Sequence, residues 1–176
     1  MYLIFLAAQA IIMLFMLRSM MQSSGADYYN PATQAVIKLT DPVLKLLPKS
    51  KLQFGSFNIA GFVLALLFTA IFWAIFCLFF LISWKECVTL AIIMYIKSFG
   101  YLVMFLLFAQ ALLSWLPSTR GWSFYFSQIT SFITAPVQRI IPPIGMIDIS
   151  LMIVLIALFA LNRLFANIFG IMWFFF

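Results

Sequence analysis

The sequence predicts an all-α membrane protein in which four transmembrane helices form two parallel repeats, each with a basic, proline-bent amphipathic segment on the cytoplasmic side. Three observations support this fold class: the composition, four long apolar runs and an internal sequence similarity. Of the 176 residues, 66% are hydrophobic and only 8% are charged, with ten basic and four acidic side chains. Soluble domains contain about 25% charged residues. The composition therefore excludes a soluble globular protein, a disordered chain and a disulfide-stapled secreted scaffold.

Four apolar stretches are candidates to cross the hydrocarbon core of a membrane, which requires about 20 apolar residues. Three of them are residues 2–17, 57–83 and 98–116, and the fourth begins at Ile149. The fourth is uncharged only as far as Asn162, which is about 21 Å of helix. It is therefore expected to include Arg163 and to extend toward Phe169. The first stretch lacks the basic start of a signal peptide, which favours an uncleaved span.

The distribution of basic residues between the spans predicts the orientation of the chain. Segments 18–56 and 117–148 hold seven basic residues: Arg18, Lys38, Lys45, Lys49, Lys51, Arg120 and Arg139. The opposite side holds three: Lys85, Lys97 and Arg163. Cytoplasmic connections carry the excess of positive charge. We therefore expect both long connections in the cytoplasm and both termini outside it.

An internal repeat relates the two halves of the chain. Residues 40–48 align with residues 134–142 at an offset of 94. The matched pairs are Pro42 with Pro136, Lys45 with Arg139, Pro48 with Pro142 and, after a small adjustment, Asn58 with Asp148. We expect one bundle domain made of repeat 1, residues 1–83, and repeat 2, residues 84–176. Each repeat returns the chain to its starting side, so the two repeats have the same orientation.

The connection inside each repeat is predicted to be amphipathic. On a helical wheel, Leu39 and Val43 share a face with Val36, while Lys38, Asp41 and Lys45 lie opposite. In the second copy, Ile129, Phe132, Ile133, Pro136 and Ile140 share one face. Such segments either lie on the anionic inner leaflet or pack under the bundle as core helices, and we favour the leaflet. Pro42 and Pro136 predict two short helices joined at a bend in each copy.

Several polar residues of the repeat are candidate functional groups. Lys38, Lys45 and Arg139 are candidates to contact lipid phosphates or carboxylates of a partner, the alternative being solvated charges on the cytoplasmic side. Asp148, at the start of the fourth span, is a candidate cation or partner ligand. A helix cap is the favoured role for Asp148, and Asn58 at the matching position fits that role because Asn also caps helices well.

The spans themselves suggest mainly structural roles. Lys97 and Arg163 are expected to snorkel toward the outer membrane surface rather than to lie at mid-membrane. Gly61, Ala65 and Thr69 recur every four residues and predict close helix packing, either between the repeats or between protomers. Trp84 and residues 173–176 fit an aromatic belt at the membrane interface.

The reactive side chains argue against an enzyme. The chain has no His, and its carboxylates are Asp27, Asp41, Glu86 and Asp148. A metal site needs several such ligands close together, and a catalytic triad or a phosphate-binding loop needs motifs that the sequence lacks. We therefore expect no catalytic residues, no metal and no cofactor. Cys77 and Cys87 are expected to be packing residues, since a disulfide would require both on one face near one membrane surface.

Two motifs resemble those of the YGGT family of small bacterial and plastid membrane proteins. The first motif comprises residues 27–31 and 40–42 with Lys45 and Pro48; the second comprises Trp115, residues 134–136, Arg139, residues 142–145 and residues 147–150. The family pattern has an acidic residue in the first unit, where this sequence has Asn58. The resemblance implies a four-span protein of the bacterial inner membrane. Members of the family are associated with osmotic-stress tolerance, potassium uptake and cell-division or nucleoid organisation, and plastid relatives with haem attachment to a cytochrome.

These observations favour a non-catalytic membrane scaffold, an assembly factor or a stress-tolerance factor. The alternative is a small potassium pathway or a transporter-associated subunit, although few polar side chains lie in the spans. The expected partners are anionic lipids of the inner leaflet and other membrane proteins. A homo-oligomer is also compatible with the sequence, and a nucleic-acid partner is not expected.

Overall fold

A computed structural model describes residues 2–45, 53–54, 57–141 and 149–175 as a helical bundle. Within these residues the α-helices are α1 (Tyr2–Ser24), α2 (Pro31–Leu44), α3 (Ala60–Phe80), α4 (Trp84–Ser114), α5 (Arg120–Ile140) and α6 (Ile149–Phe169). Short 3-10 helices cover Pro117–Thr119 and Gly170–Phe175. Strands β1 (Gln53–Phe54) and β2 (Phe57–Asn58) pair antiparallel just before α3.

Among the described residues, four helices are long and apolar enough to cross a membrane: α1, α3, α4 and α6 with its 3-10 extension. The prediction of four apolar spans is thereby confirmed. Helices α1 and α4 are central, since α1 contacts α2, α3, α4 and α5, and α4 contacts α1, α3, α5 and α6. Helices α3 and α6 flank them. Helices α2 and α5 connect α1 to α3 and α4 to α6, so both lie where α1 and α4 end.

Two spans extend beyond their predicted limits. Helix α1 continues past Arg18 to Ser24, and α4 begins at Trp84 instead of residue 98. Charged residues such as Lys85 and Glu86 end an apolar run but do not end a helix, because both have good helix propensity. Lys97 consequently lies within α4, about 20 Å along the helix from its start. It is not the flanking charge that the orientation count assumed.

Helix α3 packs closely on α1 through its small residues. A Cβ atom at Gly61 would overlap the backbone carbonyl oxygen of Phe15 and lie 2.9 Å from the Cβ of Ser19. Ala65 and Thr69, one and two turns further along α3, are also buried. The small-residue stripe is therefore a packing surface, as expected. Gly61, however, packs on α1, the other span of residues 1–83, instead of on the second repeat or another protomer.

The turn between α3 and α4 is closed by a disulfide. Cys77 and Cys87 are bonded, with Cα atoms 6.4 Å apart. Leu81 ends α3 in the left-handed conformation with φ of 52°, which reverses the chain within three residues. That reversal brings the end of α3 against the start of α4. The expectation that the two cysteines only fill space is therefore wrong.

Helices α2 and α5 are each continuous. Pro42 lies inside α2 and Pro136 inside α5. The expectation of two short helices per segment is wrong. Both prolines are close to the C-terminus of their own helix, so only a few helical residues follow the position that lacks a backbone N–H. Packing of the buried faces supports the remaining turns.

Candidate functional site

The outward face of α2 combines lysines with apolar side chains. Lys38 and Lys45 are exposed there, and Leu39 is exposed over 65% of its surface. The opposite face is buried through Val36, Ile37 and Leu44, together with Thr33 and Thr40. Leu39 therefore does not share the buried face of Val36, although the helical wheel placed both residues on one apolar face. One face of α2 therefore packs under the bundle, as the alternative of a core helix expected, and the other face is exposed.

The chain enters α2 through a well-defined cap. Asn30 accepts a hydrogen bond from the backbone N–H of Ala32 through its side-chain oxygen, 2.9 Å away. Pro31 occupies the first helical position, where no backbone N–H is needed. The carboxylate of Asp27 accepts the backbone N–H of Tyr29 at 3.0 Å. The polar motif at residues 27–31 is therefore accounted for by turning the chain from α1 into α2.

Ion pairs fix α2 against α1. The Arg18 guanidinium donates from Nη2 to Asp41 Oδ1 over 3.4 Å. Asp41 also lies 4.0 Å from the ammonium of Lys45, one turn further along α2. Arg18 is 9% exposed, whereas the Lys45 side chain is 67% exposed. Lys45 therefore presents its charge outward, while Arg18 holds Asp41 from inside the bundle.

Helix α5 is held against α4 by hydrogen bonds from the buried Thr130 and from Ser123. Thr130 donates a hydrogen bond to the side-chain oxygen of Gln110 at 2.9 Å, and both residues are buried. The hydroxyl of Ser123 donates to the Gln110 carbonyl oxygen at 3.3 Å. The outward face of α5 exposes Phe124, Phe132, Pro136, Arg139 and Ile140. Of the predicted apolar face, Ile129 alone is fully buried and points into the core.

The two amphipathic helices meet through one buried hydrogen bond. The hydroxyls of Thr33 on α2 and Tyr125 on α5 lie 2.7 Å apart, and both residues are less than 5% exposed. Burial raises the pKa of the Tyr125 phenol, an effect that the hydrogen bond to Thr33 opposes and the charge of Asp27 reinforces. The phenol therefore remains neutral through physiological pH. This contact places α2 and α5 at the same end of the bundle.

Asn58 anchors the start of α3 to the end of α1. Its side-chain oxygen accepts the backbone N–H of Ala60 at 2.9 Å. Its own backbone N–H donates to Ser23 Oγ at 2.9 Å, and its carbonyl oxygen accepts from the Ser19 hydroxyl. The predicted capping role of Asn58 agrees with this geometry. The same segment reaches the second repeat, since Phe57 packs edge-to-face on Phe132 at 6.1 Å.

The predicted site residues that the structure describes are distributed over α2, α5 and strand β2, which carries Asn58. Lys38, Pro42 and Lys45 are exposed on α2, and Pro136 and Arg139 are exposed on α5. Pro48, Pro142 and Asp148 lie outside the described residues. The sequence reasoning missed the Arg18–Asp41 and Thr33–Tyr125 contacts. The available signal for the Arg18–Asp41 contact was a charge at the end of an apolar run, followed by a carboxylate in the next amphipathic segment. Nothing local in the sequence indicated the Thr33–Tyr125 contact.

Lys97 is buried within the bundle. It is 4% exposed, and its ammonium donates to the carbonyl oxygen of Trp173 and lies 5.5 Å from the centre of the Tyr101 ring. A cavity of about 120 Å³ between α4 and α6 lies beside it. The expectation that Lys97 snorkels is wrong, because the end of the chain folds over it. Arg163, by contrast, is exposed on α6.

The C-terminal 3-10 helix folds back along α6. The indole N–H of Trp173 donates to the side-chain oxygen of Asn162 at 3.0 Å, and its ring stacks on Phe165 at 5.1 Å. In a straight helix, residues 162 and 173 would be about 16 Å apart. The reversal occurs at Gly170, whose φ is 56°. Trp173 is 3% exposed, so its predicted place in an interfacial aromatic belt is wrong.

The described residues contain no group of three His, Cys, Asp or Glu side chains able to hold a metal ion. Their polar contacts tie helices together: α1 to α2, α1 to the start of α3, α4 to α5 and α2 to α5. The outward side chains of α2 and α5 therefore form the principal candidate interaction surface.

Four apolar spans and two amphipathic connecting helices, all within the described residues, define a small helical integral membrane protein. The CCB3/YggT family model matches residues 89–169. An uncharacterized protein of Haemophilus influenzae is 33% identical over 158 residues, covering 89% of this chain and 86% of that protein. The chain belongs to the CCB3/YggT family, as the sequence motifs suggested.

Other relatives extend the similarity over most of the chain. A Vibrio alginolyticus protein, described as an uncharacterized protein in the proC 3' region, is 32% identical over 171 residues, or 93% of this chain and 91% of that protein. The uncharacterized protein YggT of Escherichia coli K12 is 28% identical over 152 residues, which cover 85% of this chain and 80% of that protein. No solved structure matches the chain.

Proposed function

We propose that this protein is a non-catalytic scaffold or assembly factor of the bacterial inner membrane that holds two cationic amphipathic helices on the cytoplasmic surface. The observation that carries the proposal is the buried Thr33–Tyr125 contact, which joins α2 to α5 at one end of the bundle. The hydrogen-bonding side chains Thr33 and Tyr125 are buried, whereas the cations of both helices are exposed. The fold thus supports a platform at one membrane face, and the family resemblance suggests osmotic stress as its physiological setting.

The outward faces have the chemistry of a helix lying among lipid headgroups. Leu39, Phe132 and Ile140 are exposed apolar side chains beside the exposed cations Lys38 and Arg139. A basic residue near an anionic bilayer surface contributes about 1 kcal/mol. With Lys45, the three cations would contribute about 3 kcal/mol in addition to the burial of apolar side chains. Anionic lipids are therefore the first proposed partner, and other membrane proteins at the same surface are the second.

Two independent arguments support the proposed orientation. The excess of Lys and Arg is found at the end that carries α2 and α5, and such an excess is typical of the cytoplasmic side. The Cys77–Cys87 disulfide closes the turn at the other end of α3 and α4. Disulfides persist in oxidising compartments such as the bacterial periplasm. Both arguments favour termini outside the cytoplasm.

A potassium pathway is the alternative function, and the interior of the bundle argues against it. The Thr69 and Ser98 hydroxyls donate to backbone carbonyls of their own helices, at 2.7 Å in each case. A cation path needs oxygen atoms converging at one depth. The buried ammonium of Lys97 would additionally repel potassium. We therefore expect reconstituted protein to give no potassium flux above that of empty vesicles.

The test is an environment-sensitive fluorophore attached at Leu39→Cys or Phe132→Cys in proteoliposomes of the full chain. We expect a blue-shifted emission and quenching by brominated acyl chains in vesicles containing phosphatidylglycerol. Replacing Lys38, Lys45 and Arg139 together by Gln should weaken both signals, whereas Arg163→Gln should not. Emission typical of water in all vesicles, or no response to the triple replacement, would contradict the proposal. A potassium flux measured in the same vesicles would favour the alternative.

A further inference from the structure

A cavity of about 200 Å³ lies at the corner where α1 turns into α2. It is lined by Arg18, Met21, Gln22, Gly25, Ala26, Tyr28 and Thr33. Its wall includes four polar side chains, those of Arg18, Gln22, Tyr28 and Thr33. The ion pair of Arg18 with Asp41 explains why α2 is held here, but it does not explain the open space. The cavity lies outside the exposed face of α2 that carries Lys38 and Lys45.

The guanidinium of Arg18 is incompletely satisfied. The residue is 91% buried, yet its Nε–H has no hydrogen-bond partner among the described residues. Its contact to Asp41 is long for a charge-assisted hydrogen bond, at 3.4 Å against a usual 2.7–2.9 Å. Leaving a buried charged donor without an acceptor costs more than leaving a neutral one. Arg18 also lines the cavity, so an acceptor oxygen there would meet the guanidinium group.

The cavity wall contains one cationic side chain, that of Arg18. Asp41 offsets the charge of Arg18, but Lys45 lies 4.0 Å from the same carboxylate. Arg18, Asp41 and Lys45 together carry a net charge of +1. The guanidinium fork matches the oxygen atoms of a phosphate, and the exposed side chains of Gln22 and Tyr28 add further donors at the wall. A carboxylate presents a flat pair of oxygens, whereas a phosphate can satisfy donors from several directions.

The depth of Arg18 matches the headgroup layer of a membrane. It precedes the end of α1 by six residues, which is about 9 Å along the helix. An arginine this close to the end of a span is able to extend its side chain toward the headgroup layer. The cavity volume leaves room for a phosphate group with its first ester atoms.

We propose that this cavity binds the phosphate group of a membrane phospholipid, with Arg18 as the principal ligand. The shared chemistry is a phosphate oxyanion, which inorganic phosphate also offers. The site goes beyond the proposed platform role because it uses a buried residue of α1 instead of the exposed cations. One site would hold one phosphate and keep the α1–α2 corner closed.

The test uses native mass spectrometry and thermal unfolding of the delipidated full chain in detergent. The probes are phosphatidylglycerol, diacylglycerol with the same acyl chains, and inorganic phosphate. Phosphatidylglycerol should bind at a stoichiometry of one and raise the Tm, and diacylglycerol should do neither. Arg18→Gln should weaken binding at least tenfold, which is about 1.4 kcal/mol. Arg18→Lys, which keeps the charge but loses the fork, should bind with intermediate affinity.

Arg163→Gln is the matched control because it removes an exposed cation from α6, and it should leave binding unchanged. If Arg18→Gln does not fold, the comparison of the two lipids on the unaltered chain still decides the outcome. Stabilisation by inorganic phosphate alone would support the phosphate site and overturn the lipid as its source. Equal binding of diacylglycerol, or full binding by a folded Arg18→Gln variant, would overturn the site. None of these results would change the expected weakening of the lipid signals when Lys38, Lys45 and Arg139 are replaced by Gln.

Discussion

Replacing Gly61 by Ala should loosen the contact between α1 and α3. The added Cβ would overlap the Phe15 carbonyl oxygen and lie 2.9 Å from Ser19 Cβ, whereas carbon atoms normally approach to about 3.5 Å. Neither neighbour is the flexible end of a long side chain, so the helices must separate. Such overpacking typically costs 1–3 kcal/mol. We expect a loss of about 2 kcal/mol in the free energy of unfolding, because several buried residues share the displaced interface.

The assay is unfolding in mixed micelles of a mild detergent and sodium dodecyl sulfate, followed by circular dichroism. Gly100→Ala is the control, since a Cβ there would meet no atom within 4 Å. Alanine also has the better helix propensity, by about 1 kcal/mol in water, so the control should be neutral or slightly stabilising. A Gly61→Ala variant as stable as the control would refute the packing of α3 on α1.

Three further perturbations test the other contacts. Reducing the Cys77–Cys87 disulfide, or replacing both residues by Ser, should lower the free energy of unfolding by about 2–3 kcal/mol, because the disulfide closes a loop of ten residues. Thiol labelling before and after reduction verifies the bond. Tyr125→Phe should cost about 1–2 kcal/mol. Because folding raises the pKa of Tyr125, the folded state favours the neutral phenol. The stability that Tyr125 contributes is therefore fully present below the unfolded pKa of about 10 and is lost as the pH rises through the higher folded pKa. In a titration followed by absorbance at 295 nm, the variant should show one phenol fewer with a raised pKa. Gly170→Ala should strain the left-handed reversal by about 1–2 kcal/mol and red-shift the Trp173 fluorescence, whereas Gly121→Ala, with no atom within 4 Å of its Cβ, should not.

The sequence was sufficient to predict the features that depend on local composition. Apolar runs located the four spans, and the 3.6-residue period located α2 and α5. The small stripe at Gly61 correctly indicated close packing, but its partner could not be read from one helix face. The start of α4 was missed because hydropathy marks the edge of the lipid-soluble part of a helix, and a helix can continue past Lys85 and Glu86.

Features that depend on distant parts of the chain were missed. The burial of Lys97 results from Trp173, which is 76 residues away and reaches it only because the chain reverses at Gly170. The pairing of Cys77 with Cys87 depends on the left-handed Leu81, a conformation that leucine rarely adopts. The Thr33–Tyr125 contact joins residues 92 apart in two different repeats. None of these contacts has a periodic or compositional signature.

The most direct test of the proposed role is the sidedness of the two amphipathic helices in a bacterial membrane. Single cysteines at Lys45→Cys and Arg139→Cys can be probed with a membrane-impermeant maleimide, with Trp84→Cys marking the opposite end of the bundle. We expect both helix positions to be labelled in inverted vesicles and protected in spheroplasts, with the reverse pattern at position 84. Labelling of positions 45 and 139 from opposite sides, or of both from the outside, would contradict a cytoplasmic platform.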